Sequence, residues 1–257
     1  MQRTPLFLPA LAPLALLASG GTLSAQDDAW RWSVTPYAWA TDVGIDAALA
    51  GRTVVNETIP VEDLLEDIDL TVQGRFELAR GAHGVLLDLF YVSMSDEVNG
   101  LVLPQGAGTA DLDWRMDLTI ADLAATYDPR GDGLGLGLLY GARVIDTRTE
   151  VEGDFTTTSG TQAQDYTSDE TLVDALFGLS YRAEVGSNLR VQSQLDVSTG
   201  GTELTWSAFP SLSYTFGGGK YAFVAGYRHM QIDFEEEGGL ESEMTLSGPL
   251  IGFRFAP

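Results

Sequence analysis

The segment from Leu134 to Thr147, LGLGLLYGARVIDT, decides the fold class of this chain. Large apolar side chains at Leu136, Leu138 and Tyr140 alternate with small or polar residues such as Gly137 and Arg143. Alternation with a period of two residues is typical of a β-strand, because successive side chains point to opposite faces. Almost all of the chain after its first thirty residues follows the same period, so we predict an all-β protein.

The alternation predicts about ten long strands, within a range of eight to twelve. They lie at residues 30–40, 69–80, 83–97, 110–128, 134–150, 169–184, 188–199, 203–216, 219–235 and 241–255. The connections after strands 2, 4, 6 and 8 are tight turns, whereas those after strands 1, 3, 5 and 9 are mostly longer and polar or acidic. The connection after strand 7, Ser198 to Thr202, is a short exception. An even strand number with short turns at one end and long loops at the other predicts a transmembrane, antiparallel, up-and-down β-barrel of the outer-membrane type.

Three strand positions and one loop depart from this pattern. Pro36 and Pro210 lie inside predicted strands, and Asp122 interrupts an apolar face. We predict a β-bulge at each of the three positions, since a bulge tolerates a missing N–H or resets the phase of a strand. Residues 60–68, in the first long loop, carry the only helical signal, and they either cap the mouth of the barrel or fold into it.

The polar faces of the predicted strands collect charged side chains, and we predict that these form a charge network in the lumen. Its candidate members are Arg75, Glu77, Asp88, Asp113, Arg115, Asp117, Arg143, Asp174, Arg182, Arg190, Asp196 and Arg228. A soluble β-sandwich or soluble barrel would show similar alternation. However, a sandwich core could not bury so many charges without a severe desolvation penalty, whereas a hydrated lumen can hold them.

The composition excludes several classes of protein. The 257 residues include 14 Lys and Arg against 37 Asp and Glu, which gives a formal net charge of −23. This excess of acid argues against a nucleic-acid partner, and the absence of cysteine excludes disulfides and thiol chemistry. We expect no cofactor and no metal site.

The N-terminus carries an export signal. Arg3 precedes an apolar stretch from Leu6 to Ala18, and small residues end at Ala25, so we predict a cleaved signal peptide at 1–25 and a single barrel domain at 26–257. The last strand alternates through Ile251, Phe253 and Phe255, which is typical of chains read by the outer-membrane barrel-assembly machinery. We therefore predict the cell outer membrane as the location, with outer-membrane lipid and the assembly machinery as partners.

Both ends of the mature chain resemble a known group of proteins. Residues 30–39 (WRWSVTPYAW), 62–69 (EDLLEDID) and 88–92 (DLFYV) are similar to the start of a widespread group of Gram-negative outer-membrane β-barrel proteins, and residues 226–234 and 248–255 are similar to its last hairpin. The resemblance implies the barrel fold and its location. The group has no established activity, so the resemblance implies no catalytic residues.

Three functions remain open at this point. The leading hypothesis is a non-enzymatic, porin-like barrel with at most a narrow passive pore and an acidic mouth, because ten strands leave little space inside. The alternative is a structural or surface-interaction barrel with a plugged lumen and ion-binding external loops. Divalent cations are then a candidate partner of the acidic residues Asp233, Glu235, Glu236, Glu237, Glu241 and Glu243.

The third hypothesis is a hydrolase at the outer rim. His229 and Asp233 are the residues of the only suitable pair, and the phase of strand 9 predicts that both face outward from the barrel. That is the wrong side for an active site in the lumen, so we predict that the protein is not an enzyme.

Overall fold

The computed structural model describes residues 29–49, 52–64, 67–102, 108–157, 160–236 and 240–257. The predicted signal peptide at 1–25 lies outside the described residues. Within the described ranges, no helix is both long enough and apolar enough to cross a membrane.

The described chain forms twelve antiparallel strands in one sheet. They are β1 (Arg31–Trp39), β2 (Asp42–Leu49), β3 (Arg52–Ile59), β4 (Ile68–Arg80), β5 (His83–Val102), β6 (Thr109–Tyr127), β7 (Gly135–Thr157), β8 (Gly160–Glu184), β9 (Leu189–Thr199), β10 (Leu204–Phe216), β11 (Tyr221–Glu236) and β12 (Leu240–Phe255). Strand β1 pairs with both β4 and β12, so β1 and β4–β12 close into a barrel of ten strands. The predicted fold and strand number are confirmed.

Two strands lie outside the barrel, within the first long connection. Strands β2 and β3 form a hairpin that pairs with the first half of β12, and a one-turn helix, α1 (Val61–Leu64), leads from β3 into β4. The helix was predicted in this connection, whereas the hairpin was not. Strand β2 does alternate, through Val43, Ile45, Ala47 and Leu49, but its residues were predicted as part of a long loop.

Strand β2 continues the pairing of β1 along β12 after a short break. Trp39 pairs with Leu250 and Asp42 pairs with Ser247, so the register is the same on both sides of the break at residues 40–41. Gly248 lies opposite this break, and a Cβ atom there would overlap the backbone carbonyl of Ala40. Glycine at this position therefore lets the chain leave the barrel wall without losing the register.

The barrel has two unlike ends. One end carries the short connections at 81–82, 128–134 and 185–188 and a 3₁₀ turn at Gly217–Gly219, and we call it the turn end. The opposite end, which we call the ribbon end, is where β7 (23 residues) and β8 (25 residues) project. Because a strand needs only about 9–11 residues to cross a bilayer, more than half of this hairpin extends beyond such a layer.

The outward face carries a band of exposed apolar side chains. Near the turn end it includes an aromatic group in which the rings of Trp32 and Phe255 lie 5.6 Å apart and those of Phe216 and Tyr221 lie 5.7 Å apart. Toward the ribbon end the outward positions become polar, as at Asp146 and Gln231. An apolar band edged by aromatic residues is the expected surface of a barrel in a lipid bilayer.

The three predicted bulges do not occur. Pairing of β6 with β5 and with β7 continues without a shift through Asp122. At Pro210 the ladder with β9 is continuous and the ladder with β11 is interrupted, without a change of register. At Pro36 the ladder with β4 ends and the ladder with β12 is interrupted, again without a change of register. Each proline, which has no backbone N–H, therefore lies where strand pairing is interrupted, and it is accommodated without the extra residue of a β-bulge.

Candidate functional site in the barrel lumen

The ribbon-end half of the lumen is filled by apolar side chains that we call the apolar plug. Its buried members are Trp39, Phe90, Val92, Met94, Leu118, Ile120, Ile145, Phe209, Met230, Ile232, Leu246 and Leu250. Met230 and Ile232 have no exposed surface. Side chains from opposite walls of the barrel contact one another in this half of the lumen.

The helix of the first connection packs onto the plug. Leu64 of α1 and Ile68 at the start of β4 contact the plug residues. The backbone N–H of Val61 donates to the Asp42 carboxylate at 2.8 Å, which ties the helix to β2. The described part of residues 60–68 therefore covers part of the plug.

On the turn-end side of the plug lies a group of buried ion pairs that we call the charged belt. Its first part centres on Asp88. The Arg75 guanidinium donates to the Asp88 carboxylate from Nε at 3.0 Å, and the Tyr37 hydroxyl donates at 2.6 Å. A guanidinium nitrogen of Arg228 lies 3.7 Å from the same carboxylate, and this guanidinium also lies 5.0 Å from the centre of the Trp39 ring. Asp88 thus compensates two arginines and links the belt to the plug.

The second part of the charged belt centres on Arg143, which has no exposed surface. Its guanidinium donates to both carboxylate oxygens of Asp122, at 2.7 and 2.8 Å, and to Asp196 at 2.8 Å. Gln194 and Ser207 also donate to Asp196, each at 2.9 Å. A guanidinium forms such bidentate pairs well because its planar N–H groups match the two carboxylate oxygens.

Asp174 faces the lumen, but its carboxylate binds the connection between β9 and β10 and not an arginine. Its carboxylate accepts hydrogen bonds from the Ser198 hydroxyl, from the backbone N–H groups of Gly201 and Thr202, and from the Thr202 hydroxyl, at 2.6–2.9 Å. These bonds fold the short connection between β9 and β10 against β8. This connection was predicted as a short one, and the hydrogen bonds to Asp174 hold it in place.

A cavity of about 400 Å³ occupies the turn-end half of the lumen, below the charged belt. Its lining includes Arg182, Arg190 and Arg254 beside Glu77. The belt residues Arg75, Asp88 and Arg228 also line it, as do Arg31, Asp128 and Asp132 and several neutral polar residues. Arg182 forms an ion pair with Glu77, and Arg190 lies 3.2 Å from the Glu184 carboxylate near the rim. At the rim the backbone N–H of Leu134 and the Arg130 guanidinium hold the pKa of Asp132 below its ordinary value.

The structure brings together nine of the twelve predicted lumen charges and separates three. The nine on the inward face are Arg75, Glu77, Asp88, Arg143, Asp174, Arg182, Arg190, Asp196 and Arg228. Asp113, Arg115 and Asp117 lie on the outward face of β6, where the Tyr91 hydroxyl donates to Asp117 at 3.2 Å. Their predicted inward placement is wrong, because it assumed a phase reset at Asp122 that does not occur.

Several lumen residues were missed by sequence reasoning. Asp122 was interpreted as a defect in an outward apolar face, whereas that face points inward and forms part of the plug. The signal was available, since Leu118, Ile120 and Asp122 share one phase of the strand period. Tyr37 gives no sequence signal of its role, because its partner Asp88 is distant in the chain.

The predicted rim pair does not form an active-site arrangement. The His229 ring packs against the Trp206 ring at 4.7 Å on the outward face, as the strand phase predicts. Asp233 lies four residues farther along β11 and accepts a hydrogen bond from the Gln231 amide at 3.0 Å. The same amide donates to Glu243 at 2.9 Å.

The acidic residues of the last hairpin are only partly described. Glu237 and the side chains of Glu235, Glu236 and Glu241 lie outside what the structure describes. Among the residues that it does describe, no group of three or more His, Asp or Glu side chains is arranged to hold a metal ion. Cation binding at this hairpin therefore stays a prediction.

Comparison with solved structures identifies the class of fold. The chain is similar to the outer membrane protease OmpT from Escherichia coli, with a TM-score of 0.51 and 12% identity over 92% of this chain and 99% of that one. Other similar structures are Ail of Yersinia pestis (TM-score 0.36, 9% identity, 88% and 99% covered) and the P. putida toluene transporter TodX (0.39, 8%, 89% and 90%). No family model and no curated protein sequence matches the chain. The fold is therefore that of a closed antiparallel β-barrel of the kind found in the outer membrane protease OmpT.

Proposed function

We propose that the protein is a non-enzymatic outer-membrane barrel with a closed lumen, and that its function lies in the strands that project from the ribbon end. The observation that carries this proposal is the filling of the lumen. The apolar plug and the charged belt occupy the space through which a solute would pass. Meanwhile β7 and β8 extend far beyond the length that a bilayer requires.

The turn end then faces the periplasm and the ribbon end faces the cell exterior. Outer-membrane barrels have short periplasmic turns and longer external connections, and both described chain ends lie at the turn end here. In this orientation the aromatic rings around Phe216 and Tyr221 lie at the inner boundary of the bilayer. The Trp206 and His229 pair lies at the outer boundary, where aromatic residues are also enriched.

The projecting part of β7 and β8 offers an ordered, acidic surface. Its acidic residues are Asp146, Glu150, Glu152, Asp154, Asp165, Asp169 and Glu170, against the single base Arg148. Such a surface favours a basic partner, because the described carboxylates of this hairpin form no group that could hold a metal ion. Replacement of Glu150, Glu152, Asp154 and Asp165 by their amides should abolish binding of a basic peptide to the refolded protein. Binding that persists in this variant would contradict the role of the projecting strands.

The porin-like hypothesis requires the plug to move. The cavity at the turn end reaches the belt but does not continue through the plug. Single-channel recording in a planar bilayer with a salt gradient tests the closed lumen, with insertion verified by the different migration of boiled and unboiled protein on SDS gels. We expect a silent bilayer, whereas discrete steps with a cation-shifted reversal potential would favour the narrow pore.

A role as a hydrolase has little support, although the similar protein OmpT is a protease. The His229 ring lies on the outer wall against Trp206, where it is directed away from the lumen. His83, the other histidine, lies at the turn end and packs against Tyr127 at 5.3 Å. We expect no peptide hydrolysis by the refolded protein, and activity that disappears with His229→Ala would overturn this part of the proposal.

A further inference from the structure

The structure assigns a second site to the turn-end cavity: we propose that it binds a phosphorylated small molecule or headgroup through Arg182, Arg190 and Arg254. This inference goes beyond the proposed function, because it concerns the periplasmic side of the barrel and does not depend on the projecting strands.

The first argument is an excess of positive charge on the cavity wall. Six arginines line the cavity, against the four carboxylates of Glu77, Asp88, Asp128 and Asp132, and Glu77 is already paired with Arg182. Among the described residues, Arg190 forms an ion pair only with Glu184, whose side chain is more than half exposed at the rim. Asp88, at the roof, is engaged by the belt through Arg75 and Tyr37. A confined, uncompensated cation is unfavourable and favours an anionic ligand.

The second argument is the state of Arg254. Among the residues that the structure describes, it takes part in no ion pair, although it interacts attractively with Glu77 and repulsively with Arg182 and Arg190. The Nε atoms of both Arg254 and Arg190 are buried and have no hydrogen-bond partner in the protein. Buried N–H donors without a partner are rare, and a ligand oxygen would satisfy them.

The third argument concerns shape and chemistry. Guanidinium groups recognise phosphate oxygens through paired N–H donors, and three arginines can share the several oxygens of one phosphate. Neutral side chains of Ser180, Gln192 and Ser213 also line the space. A cavity of about 400 Å³ is large enough for more than a bare phosphate ion, so the ligand carries further atoms beyond the phosphate group.

A protein with a net charge of −23 would as a whole repel an anionic ligand, but its charges are unevenly distributed along the barrel. The bases of the turn-end region are Arg31, Arg80, Arg130, Arg182, Arg190, Lys220 and Arg254, against the acids Glu77, Asp128, Asp132 and Glu184. The acidic residues of the chain are concentrated at the ribbon end instead. The field at the cavity entrance therefore attracts anions although the whole protein is acidic.

The test measures ligand binding by calorimetry and thermal unfolding of the refolded mature protein at constant ionic strength. The probes are inorganic phosphate, glycerol 3-phosphate with glycerol as its neutral counterpart, and phosphatidylglycerol with phosphatidylcholine as its counterpart. The variants are Arg254→Gln and Arg190→Gln. Lys220→Gln is the matched control, since it removes one charge at the turn end from a residue that does not line the cavity.

We expect the wild type and Lys220→Gln to bind a phosphate-bearing probe equally, and each arginine variant to bind it at least about 10-fold more weakly. Without ligand, Arg254→Gln should be as stable as the wild type or more stable, because it removes an unpaired charge. A response to glycerol 3-phosphate indicates a periplasmic solute, and a response restricted to phosphatidylglycerol indicates a lipid headgroup. No response to any phosphate-bearing probe, or a response that both arginine variants retain, would overturn the proposal.

Discussion

Replacement of Arg143 by methionine should be among the most destabilising single changes in the barrel. The guanidinium is completely buried and supplies the hydrogen bonds that Asp122 receives from other side chains, together with one of the three that Asp196 receives. Methionine fills a similar volume, so the main cost is the carboxylate of Asp122 left buried and unpaired. Breaking a buried ion pair in this way costs about 3–5 kcal/mol of unfolding free energy.

The measurement is equilibrium urea unfolding in phospholipid vesicles, followed by tryptophan fluorescence. Arg148→Met is the matched control on the same strand, because Arg148 is half exposed and its pairs with Glu150 and Asp169 should contribute only about 0–1 kcal/mol. Adding Asp122→Asn to Arg143→Met should recover part of the loss, since the two residues act as a unit. An Arg143→Met barrel as stable as the Arg148→Met control would refute the reasoning.

Further outcomes follow from the closure of the barrel and its turns. Gly248→Ala should lower the unfolding free energy by about 1–3 kcal/mol, because the added methyl group overlaps the Ala40 carbonyl, and an unchanged urea midpoint would contradict this. Asp174→Ala should increase amide hydrogen exchange at Gly201 and Thr202, because their N–H groups donate to its carboxylate, while exchange at the turn-end position Gly131 stays unchanged. Equal exchange at Gly201 and Thr202 in the variant and the wild type would contradict the role of Asp174 in holding this connection. Unboiled protein should migrate differently from boiled protein on SDS gels, as expected for a closed barrel, and identical migration would contradict the fold.

The barrel strands were predictable from sequence where one face meets lipid and the other meets the lumen. There the contrast between the two faces is strong, as in β7, where exposed Leu136, Leu138 and Tyr140 alternate with buried Leu139 and Arg143. The projecting parts of the strands were not predictable in the same way. Residues 151–168 were predicted as a loop because both faces of β8 are exposed over residues 160–168, and in β7 the alternation of Val151 and Phe155 with acidic residues is short.

The charged belt was predictable as a set of residues but not as a set of contacts. Inward arginines and carboxylates could be assigned from strand phase, and nine of the twelve face the lumen. Their pairing depends on register between strands distant in sequence, as for Arg143 and Asp196. The apolar plug was missed because a charged lumen was expected along its whole length. On β6, for example, the inner face is apolar at Leu118 and Ile120, which belong to the plug, and charged at Asp122, which belongs to the belt.

The central claim, a lumen closed by the plug but open at the turn end, can be tested most directly by thiol labelling. The chain contains no cysteine, so single replacements report one position each. Ser213→Cys lines the turn-end cavity and Met230→Cys lies in the plug. In the refolded barrel in detergent micelles, we predict fast reaction of Ser213→Cys with a small water-soluble methanethiosulfonate and no reaction of Met230→Cys until the barrel is unfolded. Equal labelling rates at the two positions in the folded barrel would contradict a closed lumen.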